Sequence, residues 1–331
     1  MIGIAVIGLG NALEPHAKAL HDLTHRVRVV WAAARSEVRL QDTAARFGFP
    51  TTTDIDRAIN DPAVGAVLVL TPANAHLSIA SAAFAAGKHV LCEKPLEASL
   101  EAAEHLVAAG RSARRKLGTV LQMRFRPGSR RLKQVLEEGL LGDVQAASMT
   151  VPWWRPLDYY DQPGRGVKAR DGGGVLMTQA IHTLDLFRWC VGVSSVEAAQ
   201  ISTTGLHRME TEDYAAALVR LGNGAPGSII ATTATWPGYP ESIMIIGTRG
   251  SARLEGGNLR VAWLDGRDEA LVDAGGTGSG ANVMAFSHEA HKAVLIDFLD
   301  AIEQDRDPAI PGEEALETQR LIEAILAQRG T

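Results

Sequence analysis

Short apolar runs alternate with amphipathic stretches through the first third of the chain. The apolar runs predict strands at residues 2–7, 27–34, 66–70, 89–92 and 119–123. The stretches between them predict helices up to residue 20 and at 36–47, 76–86 and 99–116, with Ser36 and Gly48 at cap positions. Because continuously apolar strands alternating with helices are typical of a parallel sheet covered on both faces, the pattern predicts a doubly wound α/β domain over residues 1–122.

The pattern changes after about residue 123. Longer and more polar strands are predicted at residues 144–151, 196–203, 214–221, 227–235, 242–246 and 259–263, with a hairpin turn at Asn223-Gly224. One long helix at 174–190 interrupts them, and helices at 286–304 and 312–328 close the chain. This predicts a second, α+β domain over residues 123–331, built on an open, mostly antiparallel sheet. The Gly-rich residues 274–281 are predicted to be a mobile loop.

Composition narrows the class of protein. A chain of 331 residues is long for one core, and its 46% hydrophobic and 21% charged residues are ordinary globular values. A net charge of -5 argues against nucleic acid as a partner. Cys92 and Cys190 are too few for a disulfide framework, and no apolar run approaches the ~20 residues of a membrane helix. Since no basic leader precedes the first strand, we expect a cytoplasmic location and no membrane partner.

A glycine turn follows the first strand. Gly8 permits a tight turn, and Gly10 lets the backbone approach a pyrophosphate at the start of the next helix. The fingerprint is one glycine short, because Leu13 takes the third position, so a plain strand–helix turn is the alternative. At the end of the second strand Arg35 and Ser36 stand where an NAD enzyme usually has a carboxylate, which favours NADP over NAD unless Arg35 is simply solvated.

Two further segments carry candidate chemistry. Lys94 follows a buried strand, where open α/β sheets bind their ligands. Downstream of three successive glycines, Thr178, His182 and Asp185 are spaced to share one face of a helix. Hydride transfer at a secondary alcohol needs a base, a role that suits His182, and a cation for the developing alkoxide, a role that suits Lys94.

With these motifs the chain resembles the glucose-fructose oxidoreductase/inositol dehydrogenase (Gfo/Idh/MocA) family. The resemblance covers essentially the whole chain. Its motifs are Glu93-Lys94-Pro95, Gly172-Gly173-Gly174 leading to His182 and Asp185, Thr71-Pro72 with His76, Glu212-Asp213 and Asp297-Phe298-Leu299. It implies a Rossmann domain joined to an α/β domain whose open sheet forms homodimers or homotetramers, and it makes Lys94 and His182 catalytic.

The resemblance also sets the remaining assignments. The family's usual aspartate four residues before the histidine is Thr178 here, so either Asp185 or Gln179 takes over part of its work or the catalytic pair acts without a carboxylate. The predicted cofactor-binding residues are Gly8, Gly10, Asn11, Ala12, Arg35, Ser36, Thr71, Pro72, Asn74, His76, Glu93, Lys94 and Gln122. The predicted substrate-binding residues are Arg124, Trp154, Arg155, Tyr160, Arg165, Thr178, Gln179 and Asp185. No metal is predicted, because His288 and His291 lack a third ligand with sensible spacing.

The predicted function is therefore an oxidoreductase that uses NADP or NAD. It would transfer a hydride to or from a sugar, a sugar derivative or a cyclic polyol. Two alternatives stay open: a dehydrogenase of a non-sugar ring such as a dihydrodiol, and a non-catalytic NADP-binding sensor. A sensor would need neither Lys94 nor His182.

Overall fold

The computed structural model describes residues 1–162, 164–273 and 287–328, which form two compact units. Residues 1–121 and 288–317 make the first unit, and the described residues of 122–287 and 318–328 make the second. The sequence analysis drew its boundary after residue 122 and assigned everything beyond it to the second domain. In the structure, residues 288–317 belong to the first unit.

The first unit is built on one six-stranded parallel sheet. Its strands run in the spatial order β3-β2-β1-β4-β5-β6, which confirms the predicted doubly wound sheet. The strands are β1 (Ile2–Ile7), β2 (Val27–Ala33), β3 (Thr51–Thr52), β4 (Ala66–Val69), β5 (His89–Glu93) and β6 (Leu117–Val120). The last strand lies earlier than predicted, since a short 3-10 helix at Gln122–Phe125 replaces the end of the predicted run.

Five helices connect these strands. They are α1 (Leu13–Asp22), α2 (Glu37–Phe47), α3 (Ile55–Asn60), α4 (His76–Ala85) and α5 (Leu100–Ala113). The predicted caps of α2 are confirmed: the Ser36 hydroxyl accepts from the Arg39 amide, and Gly48 has a φ of 66°. Helix α3 was not predicted, because six residues are too few to establish a period; Asp54 caps it by accepting from the Arg57 amide at 2.8 Å.

The second unit contains an eight-stranded sheet in the order β14-β13-β12-β11-β7-β10-β9-β8. Only β7 and β10 pair in parallel, so the prediction of a mostly antiparallel sheet is confirmed. The strands are β7 (Val144–Pro152), β8 (Val193–Ser202), β9 (Tyr214–Leu221), β10 (Pro226–Thr232), β11 (Ser242–Gly247), β12 (Gly250–Glu255), β13 (Asn258–Trp263) and β14 (Asp268–Leu271). Gly224, with a φ of 85°, makes the predicted turn between β9 and β10, whereas β12 and β14 had no clear apolar signal and were missed.

The helices of this unit correct one prediction that bears on function. They are α6 (Pro127–Glu137), α7 (Leu157–Tyr160), α8 (Lys168–Asp171), α9 (Val175–Thr178) and α10 (Ile181–Val191). The single helix predicted at 174–190 is wrong, since the chain breaks at Gln179 and Ala180 between α9 and α10. Thr178 and His182 therefore lie on different helices, and the spacing argument that put them on one face fails.

Two helices follow the last strand, α11 (Glu289–Glu303) and α12 (Gly312–Leu326). Helix α11 packs on α1 and on β6 of the first unit, where Phe298 and Leu299 are fully buried. A Cβ on Gly118 of β6 would lie 2.9 Å from the Phe298 ring, so glycine is needed for this close approach. The apolar face of α11 explains why residues 288–317 belong to the first unit.

Residues 274–281, predicted to be a mobile loop, lie outside the described residues. Within the described ranges, no helix has the length and apolar character needed to cross a membrane.

Candidate active site

The carboxyl ends of the parallel strands bring four predicted segments to one edge of the first sheet. Ile7 pairs with Ala33 of β2 and with Val69 of β4, and Val69 pairs with Cys92 of β5. The residues that follow these positions, at Gly8, Arg35, Thr71 and Lys94, must therefore lie along the same edge. This is the edge at which open α/β sheets bind nucleotides.

The first loop at this edge requires glycine at position 8. Gly8 has a φ of 102°, and a Cβ there would lie 2.6 Å from the carbonyl carbon of Leu70. Gly10 and Ala12 are half-buried and Asn11 is exposed, so this turn is open to a ligand. Leu13, in the third position of the fingerprint, is buried in the core at the start of α1. The missing glycine therefore reflects packing beneath the turn.

The loop after β2 carries more positive charge than the sequence analysis assigned to it. Arg35 and Ser36 are exposed, and the Ser36 hydroxyl is used as the α2 cap. One turn further on, Arg39 reaches back to the glycine turn: a Cβ on Gly10 would lie 3.5 Å from Arg39 Nη1. Arg39 was not predicted as a site residue. The spacing of three to four residues from Arg35 and Ser36 on a helix start was the signal that could have found it.

The segment that carries Lys94 is held from α4 by a buried histidine. His76 Nδ1 lies 3.0 Å from the Pro95 carbonyl oxygen, and Nε2 lies 2.8 Å from the Thr71 carbonyl oxygen. The ring thus joins the loop after β4 to the loop after β5. His76, predicted to bind the cofactor, has both ring nitrogens directed at the backbone and is 1% exposed.

A buried carboxylate secures the other end of the same segment. Glu97 accepts hydrogen bonds from the Leu77 amide at 3.1 Å and from the Ala98 amide at 2.7 Å. Its side chain is buried, so these bonds form in a low-dielectric setting that strengthens them. Lys94 itself is half-buried, on a segment whose backbone is fixed on both sides.

Glu93 is the innermost group of the segment. Its Oε1 lies 2.8 Å from His16 Nε2 of α1, and its Oε2 accepts from the Lys94 amide at 3.1 Å. Burial opposes ionisation of Glu93, but the hydrogen bond and charge from His16 outweigh it and lower the pKa of the carboxyl to about 2. Both carboxylate oxygens of Glu93 therefore bind protein groups, and one of them helps to fix the backbone at Lys94.

His291 of α11 completes this cluster. Its ring meets the His16 ring edge-on at 5.1 Å, and burial lowers the pKa of His291 to about 3. The sequence analysis found no third metal ligand near His288 and His291, but the structure places His16 and Glu93 beside His291, and Asp22 and Glu289 beside His288. Lys292 and His288 both lie 3.0 Å from the same oxygen of Asp22, so a cation already neutralises that group. The absence of a bound metal stays a prediction.

The sheet edge fits a dinucleotide. Thr71 Oγ1 is buried, and within the described part of the chain it has no hydrogen-bond partner. Pro72 and Asn74, in the same loop, are exposed. An unsatisfied hydroxyl beside an open glycine turn is what a ligand with ribose and phosphate oxygens would complete.

In the second unit, two predicted substrate-binding residues bind each other. Arg124 Nε and Nη2 donate to both oxygens of Asp185 at 2.7 and 2.6 Å, and Thr318 donates to Asp185 Oδ1 at 2.7 Å. Both side chains are almost fully buried. The pair therefore fixes α10 to the segment before α6, and the idea that Asp185 orients His182 loses its basis.

The start of α9 is held by a residue far along the chain. Glu212 accepts from the Gly174 amide at 2.9 Å and the Leu176 amide at 3.1 Å, which satisfies the free amides of the helix start. A Cβ on Gly174 would lie 1.7 Å from the Glu212 carbonyl oxygen, so only glycine fits. The Glu212-Asp213 pair and the triple glycine, noted separately in the sequence, are thus two halves of one contact.

Thr178 and Gln179 occupy the break before α10. The Thr178 hydroxyl donates to the Gly174 carbonyl at 2.6 Å and also contacts Gln179 Oε1. The amide nitrogen of Gln179 donates to the Tyr159 hydroxyl at 3.2 Å. His182, three residues later, is half-buried in the first turn of α10. Thr178 thus stabilises the break between α9 and α10.

Two arginines surround Tyr159. Arg165 lies 4.1 Å above its ring and donates from Nη1 to its hydroxyl at 2.5 Å, and the Arg155 guanidinium lies 5.7 Å from the ring centre. Tyr159 was not among the predicted site residues, although it adjoins Tyr160. The structure gives it the central position among the predicted residues Arg155, Arg165 and Gln179.

A buried histidine supports the loop that carries Arg155. His207 Nδ1 lies 2.7 Å from Asp213 Oδ2, and its Nε2 lies 2.9 Å from the Arg155 carbonyl oxygen. The Tyr160 hydroxyl pairs with Thr233 at 2.8 Å, and burial raises the pKa of this phenol. Trp154 meets Trp236 edge-on at 5.5 Å. His207 was missed, because a lone histidine in a loop gives no local signal.

Comparisons with known proteins agree with this architecture. Residues 2–120 match an oxidoreductase family with an NAD-binding Rossmann fold, and residues 129–253 match the GFO/IDH/MocA C-terminal domain. The chain is 27% identical over 325 residues to myo-inositol 2-dehydrogenase of Thermotoga maritima, covering 94% of this chain and 91% of that protein. It is 27% identical over 256 residues to trans-1,2-dihydrobenzene-1,2-diol dehydrogenase of Mus musculus, covering 76% and 74%.

Solved structures give the same result. The WlbA dehydrogenase from Bordetella pertussis, in complex with NADH and UDP-GlcNAcA, is 27% identical with a TM-score of 0.85. The similarity covers 99% of this chain and 96% of that one. It therefore includes both compact units.

Proposed function

Because the chain belongs to the GFO/IDH/MocA family of oxidoreductases, we propose that it is an NAD(P)-dependent dehydrogenase or reductase of a sugar, a sugar derivative or a cyclic polyol. The observation that carries the proposal is the support of Lys94. Its segment follows β5 at the nucleotide-binding edge and is held in place by His76, Glu93 and Glu97.

In the proposed reaction a nicotinamide accepts or supplies the hydride at the reacting carbon. The chain's own residues manage the proton. His182 takes the hydroxyl proton in the oxidation direction, and the Lys94 ammonium stabilises the negative charge that develops on the substrate oxygen. Asp185 is bound to Arg124, so we propose that the pair acts without a carboxylate that orients His182.

Turnover of Lys94→Ala and His182→Ala variants tests these roles. We expect each to lose at least about a hundredfold in kcat while still binding the cofactor, because general acid–base groups contribute about 10²–10⁴-fold. Cofactor binding is followed by fluorescence of the reduced nicotinamide. If both variants kept full turnover, the assignment would be wrong.

We propose NADP as the preferred cofactor. Arg35 follows the end of β2 and Arg39 lies in the first turn of α2. Both are exposed and Arg39 reaches the glycine turn, so a 2'-phosphate would meet two guanidinium groups there. Arg35→Ala should weaken NADPH binding by about tenfold and leave NADH binding nearly unchanged. Arg28→Ala, at the opposite end of the same strand, is the matched control. Tighter binding of NADH than of NADPH to the unmodified protein would sink the idea.

A dihydrodiol or another aromatic ring is the second candidate substrate. It is favoured by the relative from Mus musculus and by the edge-on contact of Trp154 with Trp236, which offers apolar ring surface. A panel of sugars, inositols and dihydrodiols, screened for cofactor reduction, separates the two substrates. Cofactor binding without turnover on any of them would favour the sensor.

We also propose a homodimer or homotetramer formed through the outer face of the second sheet. Leu218, Ile230 and Ile246 on β9, β10 and β11 of this sheet are 60%, 40% and 48% exposed, which is unusual for large apolar residues. Ile230→Lys should shift the mass measured by light scattering towards the monomer. Buried reduced thiols at Cys92 and Cys190 suit the proposed cytoplasmic location.

A further inference from the structure

The group around Tyr159 brings two guanidinium groups to one phenol ring. Arg165 donates to the Tyr159 hydroxyl and to Gln162 Oε1, both neutral acceptors. Within the described ranges no carboxylate lies within ion-pair distance of Arg165. A second guanidinium, that of Arg155, contacts the same ring.

The burial of the second arginine, Arg155, disfavours its charged form. Arg155 is 4% exposed, and its burial, together with the nearby charge of Arg165, lowers the pKa of its guanidinium. Two like charges near one phenol repel each other more strongly as water is excluded. An anion bound to these guanidinium groups would reduce the repulsion between them.

The group is also connected to the candidate catalytic residues of its own unit. Gln179 donates to the Tyr159 hydroxyl and stands three residues before His182, at the break that precedes α10. The loop that carries Arg155 is held by His207, whose ring is fixed in turn by Asp213. The guanidinium groups are therefore held by a supported framework.

We propose that Arg155, Tyr159 and Arg165 form a subsite for an anionic substituent of the substrate, so that the enzyme prefers acidic sugars over neutral ones. Guanidinium forks bind carboxylate and phosphate groups through paired hydrogen bonds, and a phenol hydroxyl can donate a further one. A neutral polyol offers the Arg165 guanidinium no charge with which to pair. The inference rests on the proposed function, whose substrate class it makes narrower.

The kinetic test uses three probes with the same ring: D-glucose, D-glucuronate and D-glucose 6-phosphate. We expect kcat/KM for at least one anionic probe to exceed that for D-glucose by about tenfold or more at low salt, and added salt should reduce the preference. The better of the two anions identifies carboxylate or phosphate as the preferred group. Equal values for all three probes would overturn the proposal.

Variants assign the preference to the subsite. Arg165→Gln should reduce the ratio of anionic to neutral kcat/KM towards one, and Arg165→Lys should retain part of it, since a lysine keeps the charge but not the fork. Arg260→Gln, an exposed arginine on β13 of the same unit, loses the same charge elsewhere and should leave the ratio unchanged. A ratio that survives Arg165→Gln would contradict the assignment.

Calorimetric binding of the same anions separates this inference from the proposed function. If no sugar is turned over but D-glucuronate or D-glucose 6-phosphate binds and Arg165→Gln abolishes the binding, the subsite stands and the reaction has been misassigned. If neutral sugars are turned over and neither anion binds more tightly than D-glucose, the reaction stands and the subsite does not.

Discussion

The segment after β5 in the first unit and the Tyr159 group in the second unit are both rich in charge, but they balance it differently. Around Lys94 both carboxylates have hydrogen-bond partners: Glu93 pairs with His16, and Glu97 accepts from backbone amides. Around Tyr159 the Arg165 guanidinium donates to two neutral acceptors, and the Arg155 guanidinium contacts the same ring. The carboxylates of the first region are already hydrogen-bonded within the protein, while the second region is suited to a charge that the substrate brings.

The same contrast holds for the buried ion pairs. In the first unit the partner of Glu93 is a histidine, a residue type whose ring hydrogen-bonds in its neutral form as well as in its charged form. In the second unit the partner of Asp185 is an arginine, which stays charged. Removal of the carboxylate should therefore cost more in the second unit than in the first.

Asp185→Asn should have the largest effect. It removes the carboxylate that both Nε and Nη2 of the buried Arg124 bind, so the free energy of unfolding should fall by about 3–5 kcal/mol, as measured by chemical denaturation. Asp268→Asn, on the exposed strand β14, should stay within about 0.5 kcal/mol. A loss below about 1 kcal/mol for Asp185→Asn would mean that water reaches the pair.

Glu93→Gln should cost less, about 2 kcal/mol, because the new amide can still hydrogen-bond to the His16 ring. The variant tests the support of Lys94 as well: kcat should fall while KM changes little, since the ammonium group is displaced rather than removed. Glu101→Gln, exposed on α5, is the control. A loss of stability as large as that of Asp185→Asn would erase the distinction between the two pairs.

Acid should affect the two units in opposite directions. The pKa of His291 is about 3 in the folded protein against 6.5 unfolded, so between these values the unfolded chain binds the extra proton. As the pH falls from 6.5 to about 3, the free energy of unfolding of residues 1–121 and 288–317 should therefore decrease by about 1 kcal/mol per pH unit. Hydrogen exchange followed by mass spectrometry across this range measures the slope, and His291→Gln should flatten it, whereas exposed His105→Gln should not.

Glu241 gives the second unit the reverse dependence. Burial raises the pKa of this carboxyl to about 7 from 4.5, although Trp153 donates to it at 3.3 Å. Between these values the folded protein holds the extra proton. The free energy of unfolding of the second compact unit should therefore decrease by about 1 kcal/mol per pH step of one as the pH rises from 4.5 to about 7. Glu241→Gln should remove this loss. The same pH trend in the peptides of both units would refute the contrast.

The smallest effects are expected at two helix caps of the first unit. Ser36→Ala should cost about 0.5 kcal/mol, less than Asp54→Ala at about 1 kcal/mol, because the cap bond of Ser36 is 3.5 Å long against 2.8 Å for Asp54. Thermal unfolding of the two variants measures the order. The reverse order would show that the Ser36 hydroxyl does more for α2 than its geometry indicates.

Local patterns were enough to predict much of this protein. Continuous apolar runs identified five of the six strands of the first sheet, because strands buried on both faces leave no polar positions. The Gly8 turn and the position of Lys94 follow from those strands, because parallel strands all end at one edge. The caps of α2 and the turn at Gly224 were also local signals, since each depends on one residue's own conformation.

The rest was decided by contacts between residues far apart in the chain. Glu212 accepts hydrogen bonds from the amides at the start of α9, the short helix that ends at the break before α10. The packing of α11 in the first unit depends on the close approach of the Phe298 ring to Gly118. His16, His291 and His207 carry no local signal, since a histidine's role depends on which group the fold places beside it. The sequence by itself determined where the ligand-binding edge lies. Only the tertiary structure decided which charged side chains already have partners within the protein. Such pairing depends on distances between residues that are far apart in the sequence.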